Sequence, residues 1–392
     1  MGHPEHPTIL FMGRIFEDRW GGVREMAERM LHAAAPLCEK QGRRIEVLVP
    51  TRGLCPVEHP AIREVVLPRH AGNRILWDHR SVPAHANRRR GAVLYNIKLV
   101  LPVGLRVPGF TSIHDLMYFP QPAKYDWREY YWGDSLYMRL MVPRTVARAP
   151  FTHVDSAYTA EDARDLFPEI APHRFRTIPL GVEEVEFTPA RWTAEDSDLW
   201  AGLGARGVTE PFVFHSGSLS RRKNVGVLAT AFREFQRRHP KYRLVLTGGS
   251  APTTGDPRLA RSLGRLPCGS LVRLGTVSRR ELALLYQRAA FFVFPSLYEG
   301  FGIPPLEAQA AGCPVICARA TSLPEVARDA ALYFDPRKPG ELLARMEEMR
   351  DPAVRGRLRK AGYSNVKDFT WGRMAADWLA LADEVYRARR TR

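Results

Sequence analysis

Glu299 and Glu307, with seven residues between them, stand where the chain reads strand, glycine-bearing loop, helix start. The run Phe291-Phe292-Val293-Phe294 is continuously apolar and closes on Pro295-Ser296, as suits a strand buried on both faces of a parallel sheet. Gly300 and Gly302 follow. Pro304 and Pro305 pre-set φ for the first turn of a helix, which Leu306, Ala308, Ala310 and Ala311 carry to a stop at Gly312. Such a start aims backbone N–H groups and a positive dipole end at one spot, a setting for an anion. The two acids can then accept hydrogen bonds from the hydroxyls of a ligand whose charged part rests on the helix N-terminus. A phosphorylated sugar or a nucleotide sugar has that form. Alternatively, Glu307 only complements the dipole and Glu299 is a solvated loop acid.

Three other places carry chemistry. Arg221-Arg222-Lys223 follows the apolar run Phe212–His215. Arginine forks onto phosphate oxygens and lysine neutralises them as a point charge, although a solvated charge run has the same composition. His114-Asp115 follows the run Phe110–Ile113, where a histidine at a strand end can be a polar contact or a proton partner. Gly21-Gly22 falls at the carboxyl edge of a first parallel α/β unit, where open sheets bind ligands, or else forms a simple turn.

The stretch PSLYEGFGIPPLEAQAAGCPVI resembles the E-x7-E signature of the retaining glycosyltransferases of the GT-B fold, sequence family four. SIHDLMYFPQP resembles the family's HDL segment, and SGSLSRRKNVGVLATAF its phosphate-binding RKN element. The resemblance implies two Rossmann-like parallel-sheet domains facing across a cleft, with a hexosyltransferase activity. It implies that Glu299 contacts the donor sugar and Glu307 the ribose hydroxyls. His114 reaches the sugar from the N-terminal domain and, with Glu299, is assigned to catalysis. Phe301 and Gly302 lie at the sugar. Gly22, Arg222, Lys223, Gly302 and Ile303 hold the diphosphate, and Val277, in the loop from Gly275, meets the base. Two departures stand out. Ser218 occupies a position where relatives carry arginine, which leaves the clamp to Arg222 and Lys223. Leu180 and Glu183 replace an Asn and an Asp.

The elements that must position these groups are legible as periodicity. Strands are expected at Thr8–Met12, Ile45–Val49, Val65–Leu67, Ala92–Tyr95, Phe110–Ile113 and Thr152–Val154. In the second half they are expected at Phe212–His215, Arg243–Thr247, Leu271–Leu274, Phe291–Phe294, Pro314–Ala318 and Ala331–Asp335. Helical spacing runs from Arg24 to Gln41, and Ser278-Arg279-Arg280-Glu281 is a capping box. The domains are set at 1–208, binding the acceptor, and 209–370, binding the nucleotide sugar. A helix in 371–392 returns to the first domain. Glu184 to Pro211 reads as a connection. Its G-x-G-x-x-G, Gly202 to Gly207, precedes a strand instead of following one and fails as a dinucleotide fingerprint. Asp196-Ser197-Asp198 looks like a metal motif but belongs to an acidic, exposed segment.

The chain has 392 residues and a net charge of +16, with an isoelectric point near 10.0. That charge suits an anionic acceptor, an anionic membrane face or nucleic acid. No aromatic-and-basic interleaving supports the last. Five scattered cysteines without a C-x-x-C pair suit reduced thiols in a cytoplasmic protein. The N-terminus does not have signal-peptide form, and no apolar run has the length of a membrane span. Arg24 to Arg44 and Leu94 to Phe110 are amphipathic enough for peripheral contact with an anionic membrane at its inner face, or are simply core. The expected co-substrate is a nucleotide-sugar donor, GDP-mannose in preference to a UDP-hexose, with a glycan or lipid-linked acceptor in cell-surface polysaccharide synthesis. No metal constellation is apparent, so no metal or other cofactor is expected. The competing readings are a GT-B nucleotide-sugar epimerase and a basic nucleic-acid-binding protein.

Overall fold

The computed structural model describes residues 6–18, 21–68, 73–119, 132–183, 187, 193–249 and 257–388. The chain divides into two compact units, one taking Met1–Phe119, Tyr130–Gly181 and Trp371–Arg392, the other built on Val182–Thr370.

In the first unit, β1 (Thr8–Met12), β2 (Ile45–Val49), β3 (Ile62–Val66), β4 (Ala92–Asn96), β5 (Gly109–Ile113), β6 (Thr152–Val154) and β7 (Phe175–Thr177) form a sheet in the order 3-2-1-4-5-6-7. Every pairing in it is parallel. β1, β2, β4 and β5 are almost wholly buried, because crossover helices cover both faces of a parallel sheet. α1 (Gly22–Lys40) leaves the end of β1 and buries Met26, Met30, Leu31, Ala34 and Cys38. α2 (Trp132–Arg148) buries Val142 and Val146 in the cluster around Ile113 and Phe167.

In the second unit, β8 (Phe212–Ser216), β9 (Arg243–Thr247), β10 (Leu271–Gly275), β11 (Phe291–Phe294), β12 (Val315–Ala318) and β13 (Ala331–Phe334) pair in the order 10-9-8-11-12-13. They too are parallel throughout. Both sheets reverse direction of winding beside their first strand, and in open α/β sheets ligands bind outside the carboxyl ends of strands at that point. The relevant helices are α3 (Ala194–Ala205), α4 (Val225–Arg238), α5 (Arg279–Arg288) and α6 (Ile303–Ala310).

The expected boundary at 208 moves to 181/182. The cause is α3, which occupies the stretch expected to be a connection and is anchored in the second unit. Its Asp196 is buried, not exposed, and pairs with Arg280 of α5 at 2.5 Å. It also closes a capping box with Thr193. The apparent dinucleotide fingerprint is the other end of the same helix. Val208 N–H donates to Leu203 O (3.1 Å) and Gly207 N–H to Gly204 O (2.9 Å), with Gly207 at φ 95°. That is a Schellman stop, which requires the left-handed glycine.

α7 (Trp371–Ala388) belongs to the first unit and lies on α1. Its Trp378 stands edge-on to Tyr95 with ring centres 5.0 Å apart. Asp383 accepts from the buried Arg43 at 2.7 Å, and Arg43 also donates to Leu379 O at 3.1 Å. No described helix is long and apolar enough to cross a membrane.

Candidate active site

In the second unit the loop after β11 folds Glu299 inward. Its side chain is only 12% exposed. It accepts from Lys223 Nζ at 2.7 Å and Ser296 Oγ at 2.6 Å, and it pairs with Arg222 Nη1 at 2.7 Å. Burial alone would raise its pKa. The charges of Arg222 and Lys223 outweigh that and hold the carboxyl down at about 2. Arg222 also donates to Tyr298 O at 2.9 Å, and the Lys223 ammonium lies 4.6 Å from the centre of the Phe294 ring, a cation–π contact. The cations come from the turn Arg221–Lys223, which ends at Asn224 in the left-handed region. Asn224 holds the turn in place by donating to Pro295 O and Pro336 O.

Thr321 buttresses the loop from behind. Its hydroxyl accepts the Glu299 N–H at 3.0 Å, and its backbone sits at φ 50°, a costly conformation for a β-branched residue. Ser322 Oγ donates to the carbonyls of Glu299 and Phe301. The Phe301 ring packs edge-on against Phe369 and is 5% exposed, so only its backbone is left to meet a sugar. Gly302, at φ 107°, is the N-cap of α6, and a Cβ there would meet Leu323 Cδ2 at 2.7 Å. No side chain caps this helix. Ile303 is its first residue and Glu307 lies one turn in. Glu307 accepts from Tyr286 OH and from Arg279 Nη1, each at 3.1 Å, and Tyr286 OH is 2.7 Å from Ser216 Oγ.

A cavity of about 440 Å³ opens at the carboxyl ends of β8, β9 and β10. It is lined by Leu219, Leu246, Gly248, Gly249, Arg273, Leu274 and Gly275. Gly248 is obligatory there, because a Cβ would fall 2.2 Å from Gly217 O. Val277, expected at the base, is not among the lining residues. Arg273 and Leu219 are, and neither stood out in the sequence.

His215, on β8 directly behind this loop, also went unremarked. It is fully buried and lies flat against Phe292 and Phe294. Its Nδ1 donates to Val293 O at 3.0 Å, while Nε2 has no partner among the described residues. Burial lowers its pKa to about 4, so the ring is neutral with its proton on Nδ1.

Gly22 and His114 belong to the first unit. Gly22 opens α1 behind Gly21 at φ 139°, and among the described residues nothing beyond its chain neighbours and its own helix lies within 4 Å of where its Cβ would be. His114 is more constrained than the sequence suggested. Nδ1 lies 2.8 Å from Asp155 Oδ2 and Nε2 2.9 Å from Ile97 O. Both partners are acceptors, so both nitrogens donate and the ring is an imidazolium. Burial works against that charge, but Asp155, by charge and hydrogen bond, Asp115 and the Ile97 carbonyl together raise the pKa. The sugar contact expected of this ring requires one of its bonds to be given up.

The neighbouring His153 is the opposite case. Nε2 donates to Ile178 O (2.9 Å), so Nδ1 accepts from Ser112 Oγ (2.6 Å), which in turn accepts from Tyr95 OH (2.5 Å). Burial lowers the His153 pKa, although Asp155 opposes it. Neither His153 nor Asp155 was singled out in the sequence.

A sequence profile described as "Glycosyl transferases group 1" matches residues 204–365. The chain is 34% identical over 163 residues to O-antigen chain mannosyltransferase B of Escherichia coli, covering 41% of this chain and 42% of that one. It is 30% identical over 259 residues to the serotype-specific mannosyltransferase WbdA of Escherichia coli, covering 63% of this chain and 31% of that one. It thus spans less than half the length of either relative. Among solved structures, Anabaena Alr3699/HepE in complex with UDP and glucose superposes with a TM-score of 0.70 at 16% identity, over 96% of this chain and 99% of that one. Two Rossmann-like parallel-sheet units of this kind define the GT-B class of fold. Residues 204–365, in the second unit, are thus similar to the group 1 glycosyltransferases, and mannosyltransferases are among the relatives that the chain resembles.

Proposed function

We propose that this protein transfers a hexosyl group from a nucleotide-diphospho-sugar to a glycan or lipid-linked acceptor in the synthesis of a cell-surface polysaccharide or glycoconjugate. GDP-mannose is the favoured donor and a UDP-hexose the alternative. The observation that carries this reading is the Arg222–Lys223–Glu299 cluster beside the uncapped start of α6. Two cations, the amides of Gly302 and Ile303 and a carboxylate held ionised match a ligand with a diphosphate at one end and hydroxyls at the other. The mannosyltransferase relatives favour mannose, and the UDP bound to the Anabaena protein keeps the uridine alternative in view.

In this reading the chemistry is leaving-group departure. Charge developing on the diphosphate is met by Arg222, Lys223 and the first amides of α6 at Gly302 and Ile303, groups that the second unit fixes before the reaction begins. No metal is required of such a clamp. Glu299 and the backbone of Phe301 and Gly302 orient the sugar. Glu307 takes the ribose hydroxyls, and the cavity bounded by Gly275 takes the base. His114 is the first unit's candidate catalytic residue, and any hydroxyl it takes at Nε2 replaces the Ile97 carbonyl. The sequence offers no clear nucleophilic carboxylate, and in this reading the acceptor enters from the side the diphosphate leaves, with retention of configuration. Isolation of a glycosyl adduct on a side chain would sink that route. The protein works in the cytoplasm, at the inner face of the cell membrane.

A metal-free thermal-shift series with GDP-mannose, UDP-glucose and the bare nucleotides tests the donor. At about 100 times Kd a specific ligand adds about 2.7 kcal/mol. One nucleotide sugar should raise Tm, and the Arg222→Gln/Lys223→Gln variant should abolish the rise. If no nucleotide or nucleotide sugar shifts Tm, the donor site is wrongly assigned.

A further inference from the structure

Six large apolar side chains stand out in solvent among the described residues, and all six belong to the first unit: Val66, Ile75, Leu76, Val103, Leu136 and Leu140. Five of them come from three segments tied together at one residue. Tyr137, next to Leu136 on α2, lies 2.7 Å from His79 Nε2, and the Val103 N–H donates to His79 Nδ1 at 2.9 Å. Ile75 and Leu76 lie a few residues before His79 in the same chain segment. Burial lowers the His79 pKa, so the ring is neutral, accepts at Nδ1 and donates at Nε2. On α2, Leu136 and Leu140 are four residues apart and share a face. Both are 51% exposed.

The surroundings are basic. Residues 73–107 contain six arginines and one lysine against a single acid, Asp78, and Asp78 is already taken by Arg14 at 2.7 Å. Arg74, Arg80 and Arg106 are exposed, as are Arg144 and Arg148 farther along α2. Apolar side chains raised on a cationic field are the chemistry of a surface that settles into an anionic bilayer, the apolar groups entering the headgroup boundary and the arginines facing lipid phosphate.

The stretches that looked amphipathic in the sequence do not supply this surface. The apolar side of Arg24 to Arg44 is buried under α7 and the sheet, and of Leu94 to Phe110 only the turn at Val103 presents an apolar side chain to solvent.

We propose that Ile75, Leu76, Val103, Leu136 and Leu140, with the exposed Arg74, Arg80, Arg106 and Arg144 of the same three segments, dock the first unit on an anionic lipid surface. This rests on the membrane placement given above and names the surface that serves it. The test is co-sedimentation of the full chain with phosphatidylcholine vesicles, with and without phosphatidylglycerol. The variants are Leu136→Ser/Leu140→Ser and Arg74→Gln/Arg80→Gln/Arg106→Gln, whose side chains are all exposed. Wild type should sediment with the anionic vesicles and at least about tenfold less with the neutral ones, and should be released by raising salt from about 0.1 to about 0.5 M. Each variant should lose at least about tenfold in vesicle binding, with Tm and the donor-induced Tm shift unchanged. That retained shift separates failure here from failure of the donor assignment. Wild type that stays in the supernatant, binds neutral vesicles equally, or binds no better than the variants overturns the proposal. So does a dimer that the leucine variant converts to monomer, since a second copy would then cover the patch.

Discussion

At Glu299 burial and charge pull in opposite directions, and charge wins. The unfolded chain holds this carboxyl near 4.5 and the folded protein near 2, so the unfolded state takes up its proton first as pH falls. The stability involved, about 3 kcal/mol from the pKa difference, is fully present above pH 4.5 and lost on the way to 2. His215 has the same sign at higher pH. Its folded pKa of about 4 lies below the ordinary 6.5, so stability drains away between 6.5 and 4. Urea unfolding across a pH series should show both losses. His215→Gln should flatten the upper one and Glu299→Gln the lower. If neither variant changes the profile, the acid sensitivity originates elsewhere.

The two strands that carry these groups were readable because they are apolar runs between turn residues. The pairing of Lys223 with Glu299 was not, since it joins residues 76 apart. His153 and Asp155 lie in the mostly polar stretch Thr152–Ser156 and His215 ends an apolar run, and no local pattern marks such a residue as the centre of a network. The His114 segment was found through its resemblance, but its protonation follows only from the acceptors that surround it.

Among elements, α3 is the instructive failure. Its exposed side chains are mostly polar or small, which removed the periodicity that marks a helix, yet both ends carried signals. Thr193 with Asp196 is a capping box of the same kind as Ser278 with Glu281, and Gly207 is the left-handed stop. Thr193→Ala should cost about 1 kcal/mol. Gly207→Ala should cost a similar amount, because alanine at φ 95° is strained. Equilibrium unfolding of each variant checks this; a loss below a few tenths of a kcal/mol in both would mean that α3 is held by its contact with α5 alone. The other misplaced elements have simpler causes. β3 lies at the sheet edge with mixed exposure, so its pattern is weak, and β7 is three residues long.

At the scale of the whole molecule, the carboxyl-terminal helix completes the first unit. Arg43 is 1% exposed at its side chain and draws its compensating charge from Asp383. Asp383→Ala leaves a guanidinium buried without that carboxylate and should cost about 3–5 kcal/mol, seen as a large drop in Tm. Asp383→Asn, which keeps an acceptor, should lose less. Equal losses in the two variants would mean that packing around Trp378, not charge, holds the helix.

That arrangement also fixes an order of events during synthesis. Arg43 leaves the ribosome 340 residues ahead of its partner, an interval of roughly 20 to 70 s at typical rates of elongation. Once Thr177 has followed, the nascent first unit has every strand of its sheet but not the helix that covers Tyr95 and Phe110, while all of Val182–Thr370 emerges behind it. The second unit can therefore mature before the first, and a chaperone that shields the exposed face of β4 and β5 would be needed early and released last.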